Sequence, residues 1–368
     1  MRLVCKLSVL RRAKEQPEGK SEADRHVAGR SMEDKRVKKL LMIGAAAATM
    51  LMSAGAMAED IKPALLYDLG GKFDKSFNEA AHTGAEKFTS DTGIAYRDFE
   101  IQNDSQREQA LRNFAKRGMS PIVAIGFSQA NAVEKVAKEF PDLKFAIVDM
   151  VVDLPNVRSI VFKEHEGSYI VGKLAAMASE TGKVGFVGGM DIPLIRRFAC
   201  GYKQGALAAN EKVEVFENMT GTTGAAWNDP VKGGELAKSQ FDRGADVVYH
   251  AAGGTGIGVL QAAADADKLG IGVDSNQNGL HPGKVLTSML KRVDVAVYQA
   301  FEDAKNDNWS AGFSVLGLAE GGVDWALDDN NKELITADMQ KAVETATADI
   351  VSGKVVVHDY MSDESCPF

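Results

Sequence analysis

The residues with the most chemical character sit in glycine-rich turns that follow apolar runs. The first turn reads Asp68-Leu69-Gly70-Gly71-Lys72-Phe73-Asp74-Lys75-Ser76-Phe77-Asn78, placing an aromatic ring and a carboxylate just ahead of a helix. Phe77 reads as a staple of that helix, whereas Phe73 precedes the cap and is free to face a cleft. A later turn, Thr220 to Pro230, sets Trp227 before another helix in a stretch too rich in glycine to bury an indole well, so a flat partner is expected. Asp274 ends the apolar run in GIGVDSNQN, and Lys291 follows the run in KVLTSMLKRVD. Asp274 and Lys291 would each suit a surface salt bridge, but together at strand ends they read as a polar ring.

Other motifs carry less. The run Ala251 to Val259, AAGGTGIGV, follows a strand and opens a helix, but it lacks the G-x-G-x-x-G spacing and the acidic ribose contact of a dinucleotide site. It reads as a tight turn that brings backbone N–H groups to a cleft. Gly126-Phe127-Ser128-Gln129-Ala130 has alanine where a nucleophile elbow needs its second glycine. His82, His165, His250, His281 and His358 show no ligand spacing for zinc, and no carboxylate pair shares a helical face as an acid and base would. No cofactor is expected, and an enzyme is the minority reading.

The elements that position these residues alternate. Strands are expected at Pro63–Leu69, Ala95–Phe99, Pro121–Ile125, Lys144–Val148 and Val157–Phe162, with helices between them. A helix over Glu164–Glu180 precedes a second set at Val184–Val187, Val213–Asn218, Val247–Ala251 and Ile271–Val273, with helices opening near Pro193, Asp229 and Gly256. Ser76 with Glu79 and Ser105 with Glu108 read as capping boxes. The fold class is therefore α/β, with two doubly wound parallel-sheet lobes. Phe162–Glu166, Asn278–Lys284 and Asp307–Gly312 are the expected crossings of a multi-segment hinge. One lobe takes residues 59–163 and about 281–310, the other 164–280 and about 311–330, and 331–368 form a C-terminal helix and tail.

Length and charge bound the reading. The chain has 368 residues, 45% hydrophobic and 26% charged, with 36 glycines, which suits a large α/β core and excludes a coiled coil or collagen. Lys35, Arg36, Lys38 and Lys39 precede an uncharged apolar run from Leu40, which ends at Ala56-Met57-Ala58, the small-x-small pattern of an export signal. Residues 32–58 are expected to be a signal peptide cleaved after Ala58, an uncleaved anchor being the alternative, and residues 1–31 an upstream stretch from a misassigned start. Residues 1–58 hold 12 of the 43 Lys and Arg and 6 of the 51 Asp and Glu, leaving 31 against 45 and a net charge of −14. That balance makes nucleic acid an improbable partner. Cys200 and Cys366 remain as an even pair in an oxidising compartment, which predicts a disulfide.

GGKFDKSFNEAAHTGAEKF, AIGFSQANAVEKVAKEFPDLKFAIVD, VGFVGGMDIPLIRRFACGYKQGA, AWNDPVKGGELA, AAGGTGIGV, IGVDSNQNG and TSMLKRVDVAVY occur in this order. In them the chain resembles the basic membrane protein (BMP) family of ABC-transporter substrate-binding proteins, of the purine nucleoside receptor A type. The resemblance implies a type I periplasmic-binding-protein fold that holds a purine nucleoside or base between its lobes and delivers it to a membrane permease and ATPase. It implies that Phe73 and Trp227 are aromatic plates, Trp227 standing for the more usual phenylalanine. Asp274, Lys291 and Gly254 would hold ribose hydroxyls, and Asp74, Asn78, Asn131 and Asp149 would serve the first lobe. Asn131 stands where an aspartate is expected in relatives that read the base edge. The absent lipobox cysteine departs from the lipoprotein members and implies a free periplasmic protein; a monomer is expected. The alternatives are the same fold with a sugar, amino acid or signalling ligand, or a nucleoside-processing enzyme.

Overall fold

The computed structural model describes residues 61–368. The chain runs β1 (Ala64–Tyr67), α1 (Phe77–Thr92), β2 (Arg97–Glu100), α2 (Arg107–Lys116), β3 (Ile122–Ala124), α3 (Ala130–Glu139), β4 (Phe145–Val148) and β5 (Val157–Phe162). It continues through α4 (Glu164–Ala178), β6 (Lys183–Met190), α5 (Pro193–Ala209), β7 (Glu214–Gly221), α6 (Pro230–Asp242), β8 (Val247–Ala251), α7 (Gly256–Asp265), β9 (Leu269–Asp274) and β10 (Val285–Lys291). It ends with α8 (Val293–Lys305), β11 (Gly312–Leu316), β12 (Val323–Trp325) and α9 (Ala337–Val351). The expected export signal and its cleavage site lie outside the described residues.

Two six-stranded sheets result, ordered β11-β5-β4-β3-β1-β2 and β12-β10-β9-β8-β6-β7. Pairing is parallel except between β10 and β12. Inner strands such as β1 and β4 are buried along their whole length, because helices cover both faces of a parallel sheet and both sides of the strand must be apolar. Strand order reverses beside β1 in one sheet and beside β6 in the other, which opens a crevice at the carboxyl ends of each sheet. The lobes meet at those ends.

Three crossings connect the lobes, and they differ from the expected set. The segment around Phe162–Glu166 crosses as expected. Asn278–Lys284 does not, since it links β9 to β10 within the second sheet, and Asp307–Gly312 does not, since it leads into β11 of the first. The crossings instead fall between β10 and α8 and between β11 and β12. Consequently β10 belongs to the second lobe and β11 to the first, the reverse of the expected assignment for about 281–290 and 312–316. Each strand follows its pairing partner: β10 extends along β9, and β11 along β5. The crossings are bonded together at the hinge. Lys163 N donates to Leu316 O at 2.9 Å, Leu318 N to Glu166 Oε2 at 2.8 Å, and Arg292 N to Gly322 O at 2.9 Å.

The capping boxes also resolve differently. Ser76 makes no side-chain cap. Asp74 takes that role, its carboxylate accepting from the backbone N–H groups of Ser76, Asn78 and Glu79 at 2.8, 3.0 and 3.1 Å. A charged acceptor serves the exposed amides of a helix N-terminus better than a hydroxyl. Ser105 and Glu108 form no box either, because a short 3₁₀ turn precedes α2 and Glu108 pairs with Arg112 instead. Cys200 on α5 and Cys366 in the tail are disulfide-bonded, with Cα atoms 5.6 Å apart.

Candidate ligand-binding cleft

Between the lobes lies a cleft with about 590 Å³ of unfilled space, open solvent at its mouth included. Its walls are mostly apolar: Leu69, Phe77 and Phe127 from the first lobe, and Leu194, Ile195, Phe198 and Trp227 from the second. Its polar groups are Asp68, Asp74, Asn78, Asp149, Asp274 and Lys291. Six of the nine residues singled out from the sequence therefore converge here from five separate segments.

Three do not line it. Phe73 is 62% exposed and sets its ring edge-on against His82, centroids 5.2 Å apart. Phe77 lines the cleft in its place, because the Asp74 cap turns the chain so that the first helical residue faces inward. Asn131 is exposed on α3. Gly254 is buried beside the Trp227 carbonyl and the Asp74 side chain, and its neighbour Gly253 forms the wall.

Trp227 owes its place to Gly189. A Cβ on Gly189 would stand 2.2 Å from Cζ3 and 2.5 Å from Cε3 of the indole, so the ring lies directly on β6 backbone. On the opposite lobe Gly126, with φ 101°, admits the Asp68 carboxylate, whose Oδ2 would be 2.2 Å from any Cβ there. Arg107 Nη1 donates to Asp68 Oδ1 at 2.5 Å and Ser128 Oγ to Oδ2 at 2.6 Å, so the serine of the elbow-like motif serves a carboxylate rather than a base. Sequence reasoning missed Asp68 as a site residue, although it directly follows β1 much as Asp274 ends β9.

Most first-lobe polar groups are already committed. The Asn78 amide accepts from Asp68 N at 3.0 Å and donates to the carbonyls of Asp68 and Gly71 at 3.2 and 3.1 Å, which fixes the loop. Asp74 caps α1, and burial pushes its carboxyl up to about 6 despite the amide donors. Asp149 and Asp274 both hold left-handed backbone, φ 71° and 64°, a conformation rare outside glycine and frequent at functional strand ends.

Lys291, the last residue of β10, is the electrostatic centre. Its ammonium stands 2.7 Å from Asp149 and 2.9 Å from Glu164 Oε1, with the three side chains 2%, 6% and 1% exposed. The rings of Phe77, Phe162 and Phe198 surround it at 5.0, 5.1 and 5.7 Å. Burial opposes its charge, but Asp149, Glu164 and Asp274 together hold its pKa above the ordinary lysine value. Burial lifts the Asp149 carboxyl in spite of the ammonium. In Glu164 the same desolvation is overcome by Lys291 and Arg197, which hold it below the usual range. Burial also pushes Asp274 up to about 6, countered in part by Lys291 and Ser76. Ser76 Oγ donates across the cleft to Asp274 Oδ2 at 2.6 Å, Ser275 Oγ to Ser76 O at 2.7 Å, and Gln277 Nε2 to Lys75 O at 3.0 Å. These bonds latch the lobes together.

Comparison with known proteins places this geometry. The model of the Bmp family, described as ABC transporter substrate-binding protein PnrA-like, matches residues 61–359. The chain is 33% identical over 328 residues to the ABC transporter nucleoside-binding protein BmpA of Lactococcus lactis, covering 83% of this chain and 91% of that one. It is 30% identical to basic membrane protein A of Borreliella afzelii, over 78% of this chain and 89% of that one. An uncharacterized lipoprotein of Pyrococcus furiosus is 36% identical, over 73% and 71%. Among solved structures, an ABC transporter solute-binding protein of Aeropyrum pernix superposes with a TM-score of 0.74 at 30% identity, over 81% of this chain and 94% of that one. One from Conexibacter woesei, at 24% identity and TM-score 0.67, shares the type I fold. Proteins of this kind are binding components rather than enzymes; they work outside the cytoplasmic membrane or as lipoproteins and hand their solute to a permease and an ATPase. Among the described residues no helix is long and apolar enough to cross a membrane. With 299 consecutive residues matched and the cleft at the sheet ends where such a fold binds its solute, the chain belongs to the Bmp family of ABC transporter substrate-binding proteins.

Proposed function

We propose that the protein captures a purine nucleoside between its lobes for uptake by an ABC importer. The observation that carries this is the presence, in one cleft, of aromatic walls together with a buried carboxylate and ammonium, Asp274 and Lys291. A purine offers two large flat faces and stacks on an aromatic ring for about 1–3 kcal/mol. A ribose diol suits one carboxylate accepting hydroxyl hydrogens beside one ammonium donor. Trp227 is the plate of the second lobe, and Phe77 takes the first-lobe role expected of Phe73. Asp68, held by Arg107 and Ser128, presents the acceptor of the first lobe to donors on the base. Asp74, Asn78 and Asp149 hold the loop and the lysine in place. The nucleoside named for the Lactococcus relative supports the same ligand class.

Closure makes the capture. Ligand contacts with both lobes favour the latched arrangement over an open one, and the latched surface is what a permease distinguishes. The protein acts in the periplasm after removal of the leader at Ala58, as a monomer. Native mass spectrometry of protein purified without added ligand, followed by calorimetry with adenosine, guanosine, inosine, adenine and a sugar panel, tests the reading. Micromolar or tighter binding of a purine nucleoside is expected; tight sugar binding with no purine response overturns it. N-terminal sequencing of periplasmic protein is expected to begin at Glu59.

A further inference from the structure

The ion pairs around Lys291 do not stop at the cleft. Glu164, the first residue of α4, divides its carboxylate between two cations, with Oε1 on Lys291 at 2.9 Å and Oε2 on Arg197 Nη1 at 2.9 Å. The same Arg197 Nη1 donates to the Phe162 carbonyl at 2.8 Å, at the mouth of the first crossing. Its Nε and Nη2 form a fork on Asp359 at 2.7 and 2.8 Å. One guanidinium therefore ties the hinge, α5 and the C-terminal tail together.

The tail reaches Asp359 because α5 holds it. Gln204 Nε2 donates to Val356 O at 3.2 Å, His358 N donates to Gln204 Oε1 at 2.8 Å, and Cys366 is bonded to Cys200. Arg197, Cys200 and Gln204 hold the tail, while Leu194, Ile195 and Phe198 of the same helix line the cleft. A planar guanidinium with every edge occupied cannot pivot, and a buried ion pair keeps its value only in good geometry. Without Asp359 the Nε and Nη2 donors lose their acceptor, and the contacts left to the guanidinium are Glu164 Oε2 and the Phe162 carbonyl, both through Nη1. We infer that Arg197 is a positioning residue for Lys291, and that the C-terminal tail, through Asp359, sets the affinity of the cleft for its ligand.

The use of adenosine as probe rests on the nucleoside reading above, so the test includes a signal that needs no ligand. Calorimetry with adenosine and adenine is run on the full mature chain and on Asp359→Asn, Asp359→Glu, Arg197→Lys and Arg158→Met. In parallel, the Lys291 side-chain ammonium resonance is followed in ¹⁵N-labelled protein, assigned by its loss in Lys291→Met. Asp359→Asn and Arg197→Lys are expected to weaken adenosine about 2- to 30-fold, the range of coupling through packed polar networks, to leave adenine unchanged and to shift the Lys291 signal. Asp359→Glu restores both. Arg158→Met, which breaks a pair with Asp303 in the first lobe, lowers Tm and changes neither. An unmoved Lys291 signal in both relay variants overturns the inference, as does an equal loss of adenosine affinity in Arg158→Met. If wild type binds no purine compound, the nucleoside reading fails while the ammonium signal still decides the relay.

Discussion

Gly189→Ala tests the role of Trp227 without touching the indole itself. The new Cβ would stand 2.2 Å from Cζ3 and 2.5 Å from Cε3, so the ring must retreat by about 1.3 Å to reach ordinary carbon contact near 3.5 Å. Overpacking of that kind costs about 1–3 kcal/mol of stability, and the displaced ring forfeits most of a stacking contribution of about 1–3 kcal/mol. Adenosine and adenine should therefore both weaken by about ten- to a hundredfold, since the lost contact is with the base they share. Calorimetry gives the affinities, and the difference in emission between each protein and its Trp227→Phe counterpart reports whether the indole has moved. A shifted emission with adenosine affinity within about twofold of wild type would refute the assignment of Trp227 as a plate.

Asp274→Ala leaves Ser76 without its acceptor and removes one of the carboxylates that favour the Lys291 charge, and is expected to weaken adenosine more than tenfold while sparing adenine; equal losses for the two would show that Asp274 does not face the ribose. Burial pushes both Asp274 and Asp74 up to about 6, and of the two Asp274 is the one proposed to face the ribose, so adenosine affinity should fall by up to about tenfold per unit as pH drops from 6 to 5, and Asp274→Asn should flatten the profile over pH 5–8. The same raised values make the opposite contribution to folding: stability is greatest below the ordinary carboxylate pKa and is lost as pH rises through about 6, which urea midpoints across that window would record. Cys366→Ser opens a cross-link between residues 166 apart and is expected to cost about 2–5 kcal/mol in denaturant unfolding, with identical midpoints excluding a stabilising role.

The local pattern of the chain specified a good deal. Apolar runs at strand period, separated by glycine turns and helical stretches, were enough to place β1, β4, β5 and β8 within a residue or two, because that periodicity is written in adjacent residues. The rule that ligands sit beyond strand ends then singled out Asp274, Lys291 and Trp227, all of which line the cleft. What the pattern does not contain is the partner of each strand. β10 and β11 exchange lobes relative to expectation because a strand joins whichever edge offers it unpaired amides and carbonyls, and that edge belongs to residues far away in sequence. Phe73 and Phe77 are four residues apart, and only the turn made by the Asp74 cap decides which ring is buried in the cleft and which stands in water. The chain of contacts from Asp359 through Arg197 and Glu164 to Lys291 joins four separate segments, so no spacing motif announces it. The sequence by itself determined the two lobes and the strand ends that carry polar residues; tertiary packing alone decided which of those residues meet, because the desolvation that pairs buried charges exists only once the lobes have closed around them.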